Sequence, residues 1–284
     1  MISLKAKAKV NLSLYITGIR SDGYHLLDTV MQSISLYDAV SVSLREDCLI
    51  KLYCDNQSLS GEENICYKAA RLFFNESKIK GGADIHIEKR IPVAAGLGGG
   101  SADAAAVLVA LNRLFKCPLD DEKMKSLALT LGADVPFCLS GGTARVKGIG
   151  EDIIPLKRKL PLYMLLIKEG EKPSTAYMYK ELDKKMGNIA SKASCDSICE
   201  SLEHGDFEGF ADSLHNDFSL LWSIDEIRDK LNSVGAEGVC LSGSGPTVIG
   251  FFREKKKCLD AFECLKESCS QIYFAEAVSQ SIQT

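Results

Sequence analysis

The sequence lacks an excess of positive charge. Its 284 residues include 34 Lys and Arg against 38 Asp and Glu, a formal net charge of -4. Proteins that bind nucleic acids or anionic membranes without specificity rely on a general positive field. We therefore expect no nucleic acid and no membrane partner, and any phosphate-bearing ligand must be held by a local site.

Long hydrophobic runs are absent as well. No segment reaches the roughly 18 consecutive apolar residues that a membrane-spanning helix needs. The opening residues, MISLKAKAKVNLSLYITG, interrupt their apolar positions with lysines and so lack the continuous apolar stretch of a signal peptide. These two absences predict a cytoplasmic protein.

The spacing of a metal site is also missing. The chain has 11 cysteines, but its close pairs, Cys195 with Cys199 and Cys264 with Cys269, lack the two-residue gap and nearby histidines of a zinc site. An odd number leaves at least one cysteine without an intramolecular partner. We expect reduced, mostly buried thiols and no protein-built metal site.

Alternating and helical patterns divide the first half of the chain into a sheet and several helices. Residues 4–17 and 30–45 alternate as strands, the second broken near Asp38, and residues 83–89 alternate again. Helical spacing predicts helices over 62–75 and 121–131. A further glycine-rich segment lies between them and leads into an Ala/Leu/Val helix that ends near residues 117–118.

The second half begins after a basic, proline-punctuated stretch at residues 155–160. From there the patterns predict a strand, several helices, two strands, a helix over 254–268 and a final strand. This order suits an α+β fold of ferredoxin-like type. We accordingly predict two domains, residues 1–157 and 158–284.

The strongest local signal is a glycine loop that runs directly into an apolar helix at residues 96–103, GLGGGSAD. Glycines cost conformational entropy on folding, so four of them in five positions favour a backbone that wraps closely around a ligand. The N-terminus of the helix offers free N–H groups and a positive dipole end, which suit a phosphate chain.

Other interpretations of this loop are weaker. A P-loop needs a lysine before Ser101, and none is there. A dinucleotide-binding loop needs a third glycine at that same position and an acidic residue about 20 positions on. A purely structural loop remains open, with Ser101 as helix cap and Asp103 interacting with the helix dipole.

Three segments in this order resemble the motifs of the GHMP kinase superfamily. They are Ala8-Lys9-Val10-Asn11-Leu12, the run from Pro92 to Ala105 around the glycine loop, and Leu241-Ser242-Gly243-Ser244-Gly245-Pro246-Thr247-Val248. They are distributed over nearly the whole length of the chain. The resemblance implies an ATP-dependent small-molecule kinase, with a ribosomal-S5-like N-terminal domain and a ferredoxin-like C-terminal domain.

Further segments are similar to one branch of that superfamily, whose substrate is a diphosphocytidyl methylerythritol. They are Arg20-Ser21-Asp22-Gly23-Tyr24-His25 and Leu131-Gly132-Ala133-Asp134-Val135-Pro136. This likeness implies transfer of the γ-phosphate of ATP to the C2 hydroxyl of the methylerythritol group, in the methylerythritol phosphate route of isoprenoid precursor biosynthesis. Mg²⁺ would accompany ATP, held mainly by the nucleotide phosphates and water. We expect a monomer or a weak homodimer.

The resemblance also assigns residues to roles. Lys9 and Asp134 correspond to a catalytic pair. The ATP site comprises a phosphate loop and two adenine-side positions: Pro92, Val93, Ala94, Ala95, Gly96, Leu97, Gly98, Gly99, Gly100, Ser101, Ala102, Asn64 and Lys89. The acceptor site comprises Asn11, Tyr24, His25, Gly243, Ser244 and Gly245. The third motif has Ser-Gly-Ser-Gly where others have Thr-Gly-Thr-Gly, which keeps both glycines and both hydroxyls.

Without the motifs, the same residues have ordinary interpretations. Lys9 follows Lys5 and Lys7 on an alternating strand, so its side chain could extend into water. Asp134 could be a turn or N-cap residue, and Tyr24 a half-buried loop tyrosine. The alternative functions are another GHMP kinase, of homoserine or mevalonate type, and a nucleotide-binding sensor without catalytic activity on the same fold.

Overall fold

The computed structural model describes residues 1–186 and 193–284 as a mixed structure of sheets and helices. In these ranges the strands are β1 (Ile2–Ile19), β2 (His25–Arg45), β3 (Ile50–Cys54), β4 (Gly82–Glu88), β5 (Thr143–Gly148), β6 (Asp152–Pro155), β7 (Tyr163–Lys168), β8 (His215–Asn216), β9 (Gly238–Leu241), β10 (Thr247–Phe252), β11 (Ile272–Glu276) and β12 (Ile282–Gln283).

The helices lie between these strands. They are α1 (Ile65–Ser77), α2 (Gly99–Leu114), α3 (Asp121–Leu131), α4 (Val135–Ser140), α5 (Thr175–Met186), α6 (Asp196–His204), α7 (Phe207–Asp212), α8 (Asp225–Ser233) and α9 (Lys255–Leu265), with short 3-10 turns at Gln57–Leu59 and Asp217–Leu221. No helix in the described ranges is long and apolar enough to cross a membrane.

The first sheet is built around the long antiparallel pair of β1 and β2. Its strand order is β12-β1-β2-β4-β3; β5 also pairs with β2, β6 pairs with β5, and β8 runs parallel to β1. Along β1 the even-numbered residues from Leu4 to Ile16 belong to the hydrophobic cores. Because side chains alternate across a strand, Lys9 and Asn11 point to the opposite face, towards the glycine loop.

Strand β2 is longer than the sequence pattern predicts. It runs through Asp38, which pairs with Ala6 in β1, so the expected break at this aspartate is wrong. The nearest irregularity is a register shift on the N-terminal side of Asp38, where Lys7 pairs with Tyr37 but Lys9 pairs with Ser33. Such a bulge bends the ladder without ending the strand.

Helices α1 to α4 cover one face of this sheet, and α2 lies at the centre of that layer. The small side chains of α2, among them Ala104, Ala105 and Ala106, are fully buried. Helix α3 matches the predicted range, and the Asp120 carboxylate caps it by accepting a hydrogen bond from the Lys123 N–H at 2.9 Å. The short helix α4 was not predicted. Together these helices hold the N-terminus of α2 rigidly beside β1.

The second sheet is a four-stranded antiparallel one in the order β11-β7-β10-β9. Since α9 connects β10 to β11 and several helices connect β7 to β9, the chain follows the β-α-β-β-α-β order of a ferredoxin-like fold. This confirms the predicted α+β class. The proposed division at residues 157 and 158 falls between β6 and β7 and stays a prediction, while β8 and β12 pair with β1.

Candidate active site

Strand β1 places Lys9 in the interior. The side chain is buried, and its Nζ donates a hydrogen bond to Asn11 Oδ1 at 2.8 Å and forms an ion pair with Asp134 Oδ2 at 3.2 Å. A buried ammonium group is tolerated only when it is paired in this way. The alternative interpretation of Lys9 as a surface lysine is therefore wrong.

Asp134 stands immediately before α4, in the N-cap position, but its carboxylate makes no capping hydrogen bond. The side chain is 32% exposed, whereas that of Lys9 is 5% exposed. The carboxylate is consequently held by the lysine on one side and remains open to the cavity on the other. This is the arrangement that an acceptor hydroxyl would need in order to approach it.

The amide of Asn11 is fixed by a chain of hydrogen bonds. Its Nδ2 donates to Thr29 Oγ1 at 2.8 Å, and that hydroxyl donates to the Ser13 carbonyl at 2.6 Å. Because the nitrogen is committed to Thr29, the oxygen must face Lys9. Asn11 thus orients the ammonium group towards Asp134.

The glycine loop passes directly over Lys9. The Lys9 N–H donates to the Leu97 carbonyl at 2.9 Å. Gly98 has φ of 66° and is the N-cap of α2, and a Cβ at this position would lie 2.8 Å from Lys9 Cγ. Only glycine provides both the left-handed backbone and the space.

No side chain caps the N-terminus of α2, so the proposed alternative with Ser101 as helix cap is wrong. The side chain of Asp103 forms an ion pair with Lys89 at 2.8 Å. The first turn of this 16-residue helix therefore keeps the free N–H groups and positive dipole end that favour an anion.

The third glycine segment packs against the first. Ser242 Oγ donates to the Gly96 carbonyl at 3.0 Å and accepts from the Asn11 N–H at 3.3 Å. A Cβ on Gly96 would lie 2.2 Å from the Ser242 carbonyl oxygen. Three segments that are far apart in the sequence are thus joined around one cavity, the first two by a backbone hydrogen bond and the third through the Ser242 hydroxyl.

This cavity has a volume of about 620 Å³. Most of the predicted site residues line it: Lys9, Asn11, Asn64, Lys89, Pro92, Val93, Ala94, Ala95, Gly96, Leu97, Gly98, Gly99, Gly100, Ser101, Asp134, Gly243 and Ser244. Four predicted residues do not. Ala102 is in the hydrophobic core, Gly245 packs on Trp222, His25 lies behind Tyr179, and Tyr24 is on an exposed turn.

The two adenine-side positions are already engaged by the protein. The Asn64 amide caps α1, accepting from the Cys66 N–H at 2.8 Å and donating to the Leu59 carbonyl at 2.6 Å. The Lys89 ammonium forms ion pairs with Asp38 and Asp103. Burial opposes its charge, but the carboxylates of Asp103 and Asp38 outweigh burial and raise the pKa of Lys89 to about 12.

Asp38 and Asp103 share this one ammonium group, and their surroundings differ. Asp38 also accepts hydrogen bonds from the N–H groups of Arg90 and Ile91, at 2.5 and 2.8 Å. Asp103 Oδ1 is buried without a hydrogen-bond partner. Burial, together with the charge of Asp38, raises the pKa of Asp103 to about 7. Asp103 therefore keeps its proton to a higher pH than an ordinary aspartate does.

Lys172 and Tyr179 are among the cavity residues that the sequence patterns did not reveal. Lys172 Nζ donates to Ser244 Oγ at 2.6 Å. The Tyr179 ring, on α5, stacks on His25 with ring centroids 4.4 Å apart, and burial raises the pKa of its hydroxyl. His25 Nε2 in turn contacts Asp183 Oδ1 at 2.7 Å. The four-residue spacing from Thr175 to Tyr179 on one helix face was the only available signal.

The fold and the three joined segments define a class of protein. Residues 64–142 match the family described as GHMP kinases N terminal domain, and residues 198–271 match the one described as GHMP kinases C terminal. The chain belongs to the GHMP kinase family. As a member it is an ATP-dependent kinase that acts on a small molecule.

The names of its relatives narrow the class further. A protein of Alkaliphilus metalliredigens named 4-diphosphocytidyl-2-C-methyl-D-erythritol kinase is 37% identical over 285 residues, which cover 98% of this chain and 97% of that protein. A crystal structure of 4-(cytidine 5'-diphospho)-2C-methyl-D-erythritol kinase is 33% identical with a TM-score of 0.78, covering 97% of this chain and 99% of the other.

A similar backbone also occurs in a kinase with a different substrate. The crystal structure of L. major mevalonate kinase has a TM-score of 0.79 at 17% identity, covering 98% of this chain and 96% of that one. At this identity the likeness shows the fold alone. The backbone therefore does not distinguish between acceptors, and the side chains in the cavity must.

Proposed function

We propose that this chain transfers the γ-phosphate of ATP to the C2 hydroxyl of 4-diphosphocytidyl-2-C-methyl-D-erythritol. The observation that carries the proposal is the pairing of Lys9 with Asp134 at 3.2 Å, beside the uncapped N-terminus of α2. The full-length relatives that bear this substrate in their names support the choice of acceptor. The phosphate donor and the reacting hydroxyl would meet at this pair.

In the proposed reaction, the acceptor oxygen forms a bond to the γ-phosphorus as the bond to the β,γ-bridging oxygen breaks, and ADP leaves. The proton of the hydroxyl passes to the Asp134 carboxylate. A positioned base contributes roughly 10²–10⁴-fold to the rate. Lys9 orients that carboxylate and stabilises the negative charge that is spread over the transferring oxygens.

The ATP site proposed from the motif runs from Pro92 to Ala102. Its central part forms the N-terminus of α2, where backbone N–H groups and the helix dipole attract the phosphates. Asn64 and Lys89 line the same cavity and would face the adenine. Each retains some hydrogen-bonding capacity beyond its protein contacts.

Magnesium would be bound mainly by the nucleotide. The described ranges contain no cluster of three or more His, Cys, Asp or Glu side chains that could hold a metal ion. We propose that the phosphates of ATP and water supply most of its ligands, where the ion neutralises phosphate charge. Asp134, with its Lys9 partner, is assigned to the acceptor hydroxyl.

The acceptor would extend from the catalytic pair towards α5. Asn11 lies beside the reacting end, and Gly243, Ser244 and Gly245 belong to the turn that borders it. We assign the cytosine to the region of Tyr24 and His25. The Tyr179 ring lies in the cavity at that end, in contact with His25, and offers an aromatic face to a base.

The experiment is a coupled assay of ADP release with a panel of acceptors. The purified chain with magnesium ATP should phosphorylate 4-diphosphocytidyl-2-C-methyl-D-erythritol far faster than homoserine, mevalonate or galactose. A higher kcat/KM for homoserine or mevalonate would assign the chain to another GHMP kinase. ATP binding without turnover of any acceptor would identify it as a nucleotide sensor.

A further inference from the structure

Lys172 is a half-buried lysine in the connection between β7 and α5, and its ammonium faces the cavity. It donates hydrogen bonds to Ser244 Oγ at 2.6 Å and to Thr175 Oγ1 at 3.3 Å. Ser244 belongs to the third glycine segment, and Thr175 is the first residue of α5. The lysine thus lies where the wall of the catalytic end meets the helix that carries Tyr179.

The environment of this lysine differs from that of the other two lysines that line the cavity. Lys9 is paired with Asp134, and Lys89 with Asp38 and Asp103. In the part of the chain that the structure describes, Lys172 has no carboxylate within 4.0 Å; its side-chain partners are the two hydroxyls.

A partly desolvated ammonium group without an anion is unfavourable. Burial, reinforced by the positive charge of Lys9 and opposed by Asp134, lowers the pKa of Lys172 to about 8. A bound anion would reverse this effect, because an opposite charge at contact distance stabilises the ammonium form. The geometry therefore leaves the Lys172 ammonium group without a negatively charged partner from the described part of the protein. A bound anionic ligand could supply that charge.

The start of α5 adds to the same potential. Its 12 residues begin at Thr175, directly beside the ammonium group, and the N-terminus of a helix carries partial positive charge. The Tyr179 ring stands one turn further along the same face, about 6 Å away by the rise of a helix. An anion at Lys172 would consequently lie between an aromatic ring and the Lys9–Asp134 pair.

We propose that Lys172 binds the diphosphate of the acceptor and so selects a substrate in which a diphosphate separates a base from the alcohol. This inference rests on the proposed function. The phosphates of ATP are a poorer match, since their proposed site is the N-terminus of α2, whereas the contacts of Lys172 are to the third glycine segment and α5. Lys172 would contact the substrate directly.

The test compares Lys172→Met, which keeps the length of the side chain without its charge, with Lys172→Arg, which keeps the charge. Lys180→Met, at an exposed position on α5, is the matched control. In steady-state assays Lys172→Met should raise the KM of the diphosphocytidyl acceptor by roughly 10- to 100-fold, as expected for a lost charge-assisted hydrogen bond. The KM of ATP should be unchanged, and Lys172→Arg should recover most of the loss.

An equal acceptor KM in the wild type and in Lys172→Met would overturn the inference. So would a rise confined to the KM of ATP, which would place the lysine on the transferred phosphate. Calorimetric titration with cytidine diphosphate separates this question from the proposed function. If the wild type does not turn over the acceptor but binds cytidine diphosphate more tightly than Lys172→Met, the proposed function fails and the diphosphate site stands. Equal affinity in both proteins overturns the site, whatever the turnover.

Discussion

At the scale of single residues, the central feature is a carboxylate that its protein contacts orient while leaving it free to accept further hydrogen bonds. Asp134 occupies a helix N-cap position without capping the helix, and Lys9 contacts one of its oxygens. The carboxylate of an N-cap aspartate normally accepts a hydrogen bond from a backbone N–H of the first helical turn. Because this one does not, its carboxylate can accept a proton from a ligand.

Asp134→Asn keeps the size of the side chain but removes its ability to take a proton. Single-turnover phosphoryl transfer at saturating ATP should slow by at least about 100-fold, the lower limit for a positioned base. Titrations should show that both substrates still bind. Lys9→Ala should also be slow, and the double variant should lose much less than the product of the two effects, because paired groups are not additive. Near-normal transfer by Asp134→Asn would show that the carboxylate is not the base.

Tyr24 offers a second test at this scale, since its ring is 61% exposed and outside the cavity. Tyr24→Ala should leave the melting temperature unchanged but raise the KM of the diphosphocytidyl acceptor, since stacking on a base is worth roughly 1–3 kcal/mol. Tyr24→Phe should lose much less.

Tyr177→Ala, which removes an exposed tyrosine from α5, is the control for Tyr24→Ala. If the KM values of Tyr24→Ala and the control agree, cytosine recognition belongs to the partly buried ring of Tyr179 alone. Equal losses in Tyr24→Ala and Tyr24→Phe would instead assign the effect to the hydroxyl.

At the scale of secondary-structure elements, the glycine loop joins the start of α2 to β1. Gly98→Ala would force a side chain into a left-handed backbone, at a cost of roughly 1–2 kcal/mol. It would also press on Lys9 Cγ. We therefore expect weaker ATP binding by calorimetry and slower transfer in the same variant.

Gly100→Ala is the matched substitution for Gly98→Ala, because its Cβ would meet only Ile65 Cγ2, at an ordinary 3.6 Å. Its melting temperature should equal or exceed that of the wild type, since alanine favours a helix over glycine. If Gly98→Ala folds and binds ATP with unchanged affinity, the loop has a structural role only.

Local patterns were sufficient for many elements but missed others, of which α4 and the course of β2 are instructive. Helix α3 follows from its spacing alone, and its predicted and observed ranges coincide. Helix α4 has six residues, too few for a periodic signal, and Pro136 suggested a turn although proline is accepted in the first turn of a helix. Strand β2 continues through Asp38 because this carboxylate is satisfied by Lys89, Arg90 and Ile91, which no local pattern could show.

Only part of the candidate site could be predicted from the sequence, again because local patterns do not show contacts between distant residues. The three motifs identified residues that the structure brings together, although the roles of these residues remain predictions. Lys172 lies in the polar segment EKPST, outside any motif, and its significance depends on the contact with Ser244, 72 residues away. Tyr179 has the spacing of an ordinary helix core position. For both residues, the place in the cavity became evident only from tertiary contacts.

At the scale of the whole molecule, Asp38, Lys89 and Asp103 connect the sheet, the end of β4 and the central helix. The raised pKa of Asp103 links this cluster to the pH dependence of stability. The unfolded carboxyl group loses its proton near pH 4 and the folded one near pH 7. The contribution of Asp103 to stability is therefore complete at low pH and decreases as the pH rises through this interval.

Asp103→Asn should remove that dependence. Relative to that of the wild type, its free energy of unfolding should increase between pH 4 and pH 7, so that the variant gains on the order of 1 kcal/mol or more of stability, since one pKa unit corresponds to ~1.4 kcal/mol. Urea unfolding at a series of pH values measures the difference. A difference that stays constant over this range would show that folding does not raise the pKa of Asp103.

The junction of Gly96, Ser242 and Asn11 restricts how this sequence can diverge. The Ser242 hydroxyl serves both other residues, and the space for a side chain at position 96 is already filled by the Ser242 carbonyl. A side chain at position 96 would meet a backbone atom whatever residue stands at position 242, and the loss of the Ser242 hydroxyl would remove its hydrogen bonds to both other segments. Glycine at position 96 and a hydroxyl at position 242 are thus each required for this junction, although 146 residues separate them. Three distant parts of the gene thus encode the residues that must fit at one point in space.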